Sequence, residues 1–486
     1  MFSRNNQNKN SIKVNAVYNI ARQCCRIVFP LVIYPYVARA LGSSNLGRYS
    51  FADSIVAYFV IAAGLGIPTY AIREGARIRD DRQAINTFTS EMLTINLIAG
   101  CVASLVLLLI TLFVPKVYNE RVMIAVMSIG IMTSVAGRDW LNTVFEDFRY
   151  ISLVYVVFHV ITIICVFIFV KNPDDYIWYA VFMTLANCGP NIVNFFYTRK
   201  YASFAVKFSA GIKRHLKPVF YLFCISIAST IYINSDVTMI GFYMTNTDTG
   251  VYTMASKVYI LVKAIINAIT TVAIPRLSYY LGTNDKERYN SMVNRLKMCL
   301  ITLLLPSIIG LFFLAKDILS VFGGNMYVSG ASSLRILCLA LFFGVLNCFY
   351  AHGILVINRN EKVYFRATII TGLINLLLNL VFIPWLGIEG AAITTLIAEI
   401  FVTIVCGKAA HSYMPAGEYK GLAWLIVGSV LVGVVCYITS LIVSSAFSRI
   451  LIAIPISIIM YSLILILSKN ELAMEGLRIL RNKIRG

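Results

Sequence analysis

Four polar side chains at helical spacing interrupt the first apolar stretch of the chain, residues 14–38. Spacings of four, three and four residues place them on one face of a helix: Asn15, Asn19, Arg22 and Arg26. A guanidinium at the centre of a bilayer costs about 3 kcal/mol or more, so the two arginines are expected to face protein or water. This stripe predicts a cavity surface that binds an anion. Pairing of the arginines with a carboxylate is the alternative.

The stretch 250–275 contains a second polar stripe with a cation near its centre. Lys263 and Asn267 lie about one helical turn apart. Three further polar residues continue the same face: Ser256, Tyr259 and Thr270. We expect Lys263 and Asn267 to line the same cavity as the first stripe and to contact the same ligand. Structural pairing of Lys263 with an acid is again the alternative.

Other charged residues in the apolar stretches are additional candidates. Asp53 and Asp236 lie near the outer ends of their stretches, where they would orient a cavity cation or cap a helix. Lys257 would bind the same ligand or extend its ammonium group to the membrane surface. Glu91 and Glu399 are candidates for binding a coupling proton or cation, and simple hydrogen bonding in place is the alternative.

Motifs for catalysis and metal binding are absent from the sequence. It contains no G-x-S-x-G, H-E-x-x-H, Walker or D-x-D motif, and no C-x-x-C pair among its eleven cysteines. The adjacent Arg138 and Asp139 point in different directions on a helix and are interpreted as structural. We therefore expect no enzyme, metal, cofactor or disulfide. Transport work would come from an H⁺ or Na⁺ gradient, from the substrate or from the membrane potential.

The composition is that of a polytopic membrane protein. The 486 residues are 59% hydrophobic and 13% charged, with a mean hydropathy of +0.78. The net charge of +20 does not indicate nucleic-acid binding, because the basic residues lie in short segments between apolar ones. Of the 42 Lys and Arg residues, 29 fall on one side of the predicted membrane and seven on the other. This asymmetry predicts that both termini are cytoplasmic.

Fourteen apolar stretches are long enough to cross a bilayer. The predicted fold is therefore an all-α membrane protein with about fourteen transmembrane helices. Their approximate bounds are 14–38, 49–72, 86–114, 122–145, 151–170, 176–198, 218–243, 250–275, 298–315, 331–357, 364–383, 388–407, 422–445 and 450–468.

An internal repeat at an offset of 203–207 residues divides these helices into two copies. Three pairs of motifs show it: Gly47-Arg-Tyr49 with Gly250-Val-Tyr252, Ile67-Pro68 with Ile274-Pro275, and Asp81 with Asp285. Both copies start on the same side of the membrane, which predicts parallel six-helix lobes around a central cavity. The predicted divisions are 1–198 (first lobe), 199–217 (basic linker), 218–410 (second lobe), 411–468 (two extra helices) and 469–486 (basic tail on the membrane surface).

Several motifs together resemble the Wzx-type polysaccharide repeat-unit flippases, which share the MOP superfamily with lipid II flippases and MATE exporters. They are L-G-x4-G-x-Y at 41–49, G-L-G-I at 64–67, R-D-W at 138–140, P-R-L-S at 275–278 and N-x3-N-x3-I-P-x2-G-I-x-G-A-A at 375–392. The resemblance implies two lobes, a cationic central cavity and alternating access. Arg22 and Arg26 are similar in place to essential cavity arginines of lipid II flippases.

The resemblance also implies a substrate, an undecaprenyl-pyrophosphate-linked oligosaccharide of O-antigen, capsule or a related polymer. It would be flipped from the cytoplasmic to the outer leaflet of a bacterial inner membrane, with Arg22, Arg26 and Lys263 binding the pyrophosphate. We expect a monomer whose partners are membrane lipids, a polymerase and other polysaccharide assembly proteins. A lipid II flippase and a MATE-like drug exporter are alternatives of the same fold. A membrane polymerase would need longer outer loops than this chain has.

Overall fold

The computed structural model describes residues 2–415, 421–470, 473–474 and 478, without the side chains of residues 2–17, 19 and 20. Most of the predicted tail 469–486 therefore lies outside the described residues. The first nine α-helices are α1 Phe2–Gly64, α2 Ile67–Ile78, α3 Arg82–Phe113, α4 Pro115–Tyr118, α5 Arg121–Gly137, α6 Asp139–Val144, α7 Phe148–Phe169, α8 Tyr176–Tyr197 and α9 Ile212–Tyr243. The next eight are α10 Asn246–Gly282, α11 Lys286–Phe313, α12 Ala315–Gly323, α13 Ala331–Cys348, α14 Glu361–Leu386, α15 Ile388–Ala410, α16 Leu422–Ile442 and α17 Ala446–Leu467.

Long apolar helices make this a multi-pass membrane protein. Within the described residues, twelve helical stretches are long and apolar enough to cross a membrane. The first, Ala21–Ile78, contains two of the predicted spans, because α1 is kinked at Gly42. The φ angle of 73° there is one that glycine adopts readily. Helix α8 covers the predicted span 176–198. The prediction of an all-α protein with about fourteen helices is confirmed.

Contacts along the chain define two compact units, Met1–Gly250 and Val251–Gly486. In the first unit α1 packs against α3, α5, α7 and α9, and α8 packs against α5 and α7. An apolar core that includes Tyr70, Phe88 and Trp140 joins α2, α3 and α6. Helix α9 packs against α1, α2 and α3 in this unit, although the sequence repeat assigns it to the second lobe. The lobe boundaries stay a prediction.

The second unit is built around α11, α13 and α15. Helix α15 packs against α13 and α14, and α11 packs against α13 and α16. The pair α16 and α17 closes onto α11, where the Tyr461 hydroxyl donates to the Thr302 carbonyl at 2.8 Å. A salt bridge of 2.9 Å between Arg449 and Asp317 attaches α17 to α12. The two extra C-terminal helices are thus fixed by polar as well as apolar contacts.

Two aspartates of the sequence repeat have the same structural task. Asp81 caps the N-terminus of α3, and its carboxylate accepts the backbone N–H groups of Gln83 and Ala84 at 2.9 and 3.0 Å. Asp285 caps α11 in the same way and accepts the N–H of Arg288 at 3.1 Å. Aspartate is a preferred N-cap because it satisfies backbone donors that the helix leaves free. The repeated Asp therefore marks the start of the corresponding helix in each half of the sequence.

Candidate functional site

Arg22 and Arg26 lie in a small pocket that α1 forms with residues of α6, α7 and α8. Tyr155 of α7 contacts Arg26, whose guanidinium carbon is 5.6 Å from the ring centroid. Arg26 is exposed, whereas Arg22 is half-buried and its Nε atom has no hydrogen-bond partner among the described residues. The pocket volume is about 30 Å³, which is room for water and not for a phosphate group. An anion can reach both guanidinium groups only after the pocket widens.

Asp139 provides a carboxylate to this pocket. It begins α6, and its Oδ1 accepts a hydrogen bond of 2.9 Å from the Asn194 side chain of α8. Asn194 also donates to the carbonyl of Gly137, so the amide fixes the carboxylate in place. Asp139, interpreted from the sequence as structural, thus lines the arginine pocket. The adjacent Arg138 is directed elsewhere, with its guanidinium 3.7 Å from the centroid of the Phe204 ring.

One carboxylate and two guanidinium groups leave the pocket with a formal charge of +1. The carboxylate offsets part of the cost of placing two guanidinium groups in the pocket, and the remaining positive charge still favours an anion. Sequence reasoning found the arginines from their helical spacing. It missed Asp139, because the contact depends on the break between α5 and α6 at Arg138, a non-glycine residue with φ 43°.

A larger polar cavity of about 460 Å³ lies elsewhere in the first unit, between α1, α5, α8 and α9. Asp53 lines it and is exposed, and its role in orienting a cavity cation or capping a helix stays a prediction. Its other polar side chains come from three helices: Ser134 of α5, Thr184, Asn187 and Asn191 of α8, and Thr230 and Asn234 of α9. Hydroxyl and amide groups of this kind suit the hydroxyls of a sugar.

One face of α8 connects this cavity to the arginine pocket. Asn187 and Asn191 line the cavity, and Asn194 lines the pocket. The three amides recur at spacings of four and three residues, so they form a stripe about 10 Å long on one helical face. The sequence analysis missed this stripe. The signal was present, since the spacing is the same that drew attention to Arg22 and Arg26.

Lys263 is paired within the second unit. Its ammonium group makes a salt bridge with Glu399 of α15, whose side chain is 2% exposed. Tyr259 completes the cluster, because its hydroxyl donates to Glu399 at 3.0 Å and accepts from Lys263 at 3.1 Å. This arrangement is the structural pairing that the sequence analysis named as the alternative. The roles proposed for Lys263 in anion binding and for Glu399 in ion coupling stay predictions.

The remaining predicted residues occupy separate places. Asp236 of α9 is buried, with 6% exposure. On α10, Lys257 is exposed and Asn267 is half-buried. The amide oxygen of Asn267 has no hydrogen-bond partner in the described part of the chain. The side chain of Asn19 lies outside the described residues.

Glu91 lies in a buried polar cluster of the first unit. Its carboxylate, 2% exposed, accepts hydrogen bonds from Ser209, Arg214 and His215. His215 was not found from the sequence, where it is one lone histidine in the basic linker. The described residues contain no cluster of His, Cys, Asp and Glu suited to a metal ion. All eleven cysteines are free.

Asp147 is the centre of another polar cluster, in the turn between α6 and α7. Its Oδ2 accepts hydrogen bonds from the hydroxyls of Tyr197 and Tyr201, both at 2.6 Å, and from Lys200 at 2.9 Å. Burial alone would raise the pKa of Asp147, but these donors outweigh it and lower the pKa to about 2. Burial would lower the pKa of Lys200, but hydrogen bonds with Tyr197, Tyr201 and Asp147 outweigh it and raise that pKa. Asp147 therefore ties the turn to the end of α8.

The fold is that of the MOP superfamily of transporters. The lipid II flippase MurJ in an inward closed conformation aligns over 94% of this chain and 100% of its own, with a TM-score of 0.74 and 18% identity. An inward-facing multidrug resistance MATE transporter aligns over 80% of this chain and 98% of its own, with a TM-score of 0.57 and 17% identity.

Residues 12–281, more than half of the chain, match the family described as Polysaccharide biosynthesis protein, and the chain belongs to that family. A protein of Escherichia coli K12 named as an O-antigen transporter is 23% identical, over 82% of this chain and 96% of its own. A Haloferax volcanii protein named as a low-salt glycan biosynthesis flippase is 22% identical, over 50% of this chain and 52% of its own. The resemblance to polysaccharide flippases is confirmed, and the class is that of a transporter and not an enzyme.

Proposed function

We propose that this protein flips an undecaprenyl-pyrophosphate-linked oligosaccharide from the cytoplasmic to the outer leaflet of a bacterial inner membrane. The observation that supports this most is the continuous polar face of α8, which joins the arginine pocket to the polar cavity. A lipid-linked oligosaccharide needs both features in one protein. Its pyrophosphate requires cations, and its sugars require neutral hydrogen-bonding groups.

In this proposal Arg22 and Arg26 bind the pyrophosphate once the pocket has widened. Charge-assisted hydrogen bonds from guanidinium groups replace the water that the phosphate oxygens lose. Asn194 and the amides further along α8 then offer hydrogen bonds to the attached sugars. Asp139 would compete with the anion for the two arginines, which limits how tightly the substrate is held and favours its release.

Alternating access moves the site from one membrane face to the other in this proposal. The membrane potential, negative inside, favours outward movement of an anion by about 2.3 kcal/mol per charge per 100 mV. Coupling to an H⁺ or Na⁺ gradient would add to this. A polymerase and other assembly proteins would receive the flipped substrate in the outer leaflet.

The named relatives support a glycan substrate over a drug. Both curated relatives are named for O-antigen or glycan biosynthesis, whereas the MATE transporter shares only the fold. The two arginines of α1 agree with this choice, because a drug cation would be repelled by them. A lipid II flippase is the second candidate, supported by the fold shared with MurJ.

Deleting the gene in its own cells tests the proposal. We expect surface polysaccharide to be lost and lipid-linked oligosaccharide to accumulate on the cytoplasmic side, and the wild-type gene to restore both. The double variant Arg22→Ala/Arg26→Ala should be expressed at wild-type levels and fail to restore them. Arg121→Ala, at an exposed arginine away from the pocket, is the control. Normal surface polysaccharide in the deleted strain, with arrested peptidoglycan synthesis instead, would favour the lipid II function.

A further inference from the structure

The segment between α8 and α9 lies extended along α3. Three alternate backbone N–H groups of the segment donate to side chains one helical turn apart on α3: Ser203 to Asn86 at 2.8 Å, Ala205 to Ser90 at 3.3 Å and Lys207 to Thr94 at 3.0 Å. The match has a simple cause. Two residues of extended chain advance about 6.6 Å and four residues of α-helix advance about 6 Å, so the two ladders stay in register.

Glu91 closes the end of this ladder. Its Oε1 accepts a hydrogen bond from the hydroxyl of Ser209, the last side chain of the extended segment to contact α3. Its Oε2 lies 3.3 Å from Arg214 and 3.0 Å from His215 Nε2, both in the first turn of α9. A Cβ atom at Gly211 would overlap Glu91 Oε1, so only glycine allows this approach. One carboxylate therefore holds both the segment and the start of α9 against α3.

His215 extends the cluster to α2. Its Nδ1 is 2.7 Å from the hydroxyl of Tyr70, and its side chain is buried, with 4% residue exposure. In a neutral imidazole with its proton on Nε2, Nε2–H donates to Glu91 and Nδ1 accepts from Tyr70, while the Nε of Arg214 lies 3.1 Å from the same Nε2. The hydroxyl oxygen of Tyr70 can also accept a hydrogen bond, so Nδ1 of His215 can take up one more proton and donate it to Tyr70. The other charged groups facing this cluster among the described residues are Arg73 and Glu74 of α2 and Arg214 of α9.

We propose that Glu91 and His215 form a proton-binding site that latches the 203–211 segment and the start of α9 to α3. When the pair carries one proton, the carboxylate is ionised and accepts from all three donors. When a second proton binds to Nδ1, the imidazolium donates to Tyr70 and competes with Arg214, whose Nε is 3.1 Å from Nε2, for the single carboxylate of Glu91. Repulsion between the two cations weakens the contact to Arg214, and the start of α9 separates from α3 together with the extended segment that leads into it.

The latch offers a route for a proton gradient to act on the transporter. Helix α9 borders the polar cavity through Thr230 and Asn234, so release of its first turn would alter the cavity. This consequence rests on the proposed flippase function. The latch itself does not, since it is defined by contacts within the first unit and by its response to protons alone.

Hydrogen–deuterium exchange of the full-length protein in lipid nanodiscs tests the latch, with protons as the only ligand. After correction for intrinsic rates, exchange in the peptide covering 203–211 should rise about tenfold or more when the pH falls from about 8 to about 5. Glu91→Gln should exchange fast at every pH. Glu120→Gln, the matched control at a buried carboxylate that pairs with Arg48 outside the cluster, should keep the wild-type response. A pH-independent rate in the wild type, or a wild-type response in Glu91→Gln, would overturn the proposal.

A second pair of variants keeps the test decisive if Glu91→Gln does not fold. Gly211→Ala should push the carboxylate away and give fast exchange at high pH, whereas Gly64→Ala, at a glycine with open space around it, should not. Slow exchange in Gly211→Ala would count against the latch. If the deleted strain keeps normal surface polysaccharide while this pH response persists, the flippase function fails and the latch stands. If the deleted strain loses surface polysaccharide but exchange in the wild type does not respond to pH, only the latch is ruled out.

Discussion

At the scale of single residues, two arginines inside an apolar helix gave the clearest functional signal. Their spacing and their cost in a membrane were enough to predict a buried cationic site from the sequence. Asp139 and Asn194 could not be predicted as its partners, because they come from helices that meet α1 only in the folded chain. A single sequence contains the period of each helix but not the identity of its neighbours.

Lys263 shows the opposite limit. Its position on a polar stripe predicted a cation that lines a cavity, but the sequence could not show that Glu399, far along the chain, would pair with it. We predict that Lys263→Met destabilises the protein by about 3 kcal/mol, because it leaves a buried carboxylate without its counter-charge. The double variant Lys263→Met/Glu399→Leu should be more stable than Lys263→Met. Thermal unfolding in detergent measures both effects.

The same variants separate structural pairing from substrate binding at Lys263. If the pair is structural, the double variant should restore surface polysaccharide in the deleted strain to near the wild-type level. Loss of transport in a double variant that is fully folded would assign Lys263 to the substrate site instead.

Asp147 should contribute to the acid sensitivity of the fold. Because its pKa in the folded protein is depressed to about 2, its stabilising effect is complete above the unfolded pKa of about 4 and is lost as the pH falls toward the folded value. Asp147→Asn should therefore lower the unfolding temperature at neutral pH and flatten its decline between about pH 4 and about pH 2. Unfolding temperatures measured across this range check the prediction. Equal declines in both proteins would contradict it.

At the scale of secondary-structure elements, the sequence predicted most of the helices and their repeat. Long apolar stretches fix transmembrane helices strongly, because the bilayer leaves few other backbone structures. The repeated Asp81 and Asp285 are both N-caps in the structure. The kink at Gly42 and the extended segment along α3 were not predicted. The kink depends on the backbone angle of one glycine and the extended segment on hydrogen bonds to α3, and periodicity encodes neither.

The repeated glycines mark a close backbone crossing. A Cβ atom at Gly47 would overlap the carbonyl oxygen of Asn246, and one at Gly250 would overlap that of Ser43. The two glycines are 203 residues apart in the sequence, and so are the two residues whose carbonyls they meet, Ser43 and Asn246. The glycines are therefore required where α1 meets the start of α10. Backbone atoms cannot rotate away, unlike the end of a flexible side chain.

Alanine at either glycine should therefore force the two helices apart. We predict that Gly47→Ala and Gly250→Ala each destabilise the protein by about 1–3 kcal/mol and reduce surface polysaccharide. Gly64→Ala is the matched control, because no atom lies within 4 Å of its added Cβ. Unfolding temperature and surface polymer are the readouts. Wild-type behaviour of both crossing variants would show that the backbones are further apart than described.

At the scale of the whole molecule, the basic residues predict orientation. Residues 1–13 contain three Lys and Arg and residues 276–297 contain five, whereas the loop 171–175 contains one. A fluorescent protein fused after residue 285 should therefore fold and emit, and alkaline phosphatase fused after residue 175 should be active. The reverse pattern of activities would contradict cytoplasmic termini.

The family and the fold agree with a flippase, and the central proposal is that the arginine pocket binds the pyrophosphate of a lipid-linked oligosaccharide. Purified protein in vesicles with an undecaprenyl-pyrophosphate-linked oligosaccharide tests this directly, with a membrane-impermeant oxidant reporting the sugars in the outer leaflet. The wild type and Arg121→Ala should expose nearly all of the labelled sugar with time. Arg22→Ala/Arg26→Ala should expose only the share already outside at the start. Equal exposure by the double variant and the wild type would contradict the arginine pocket as the pyrophosphate site.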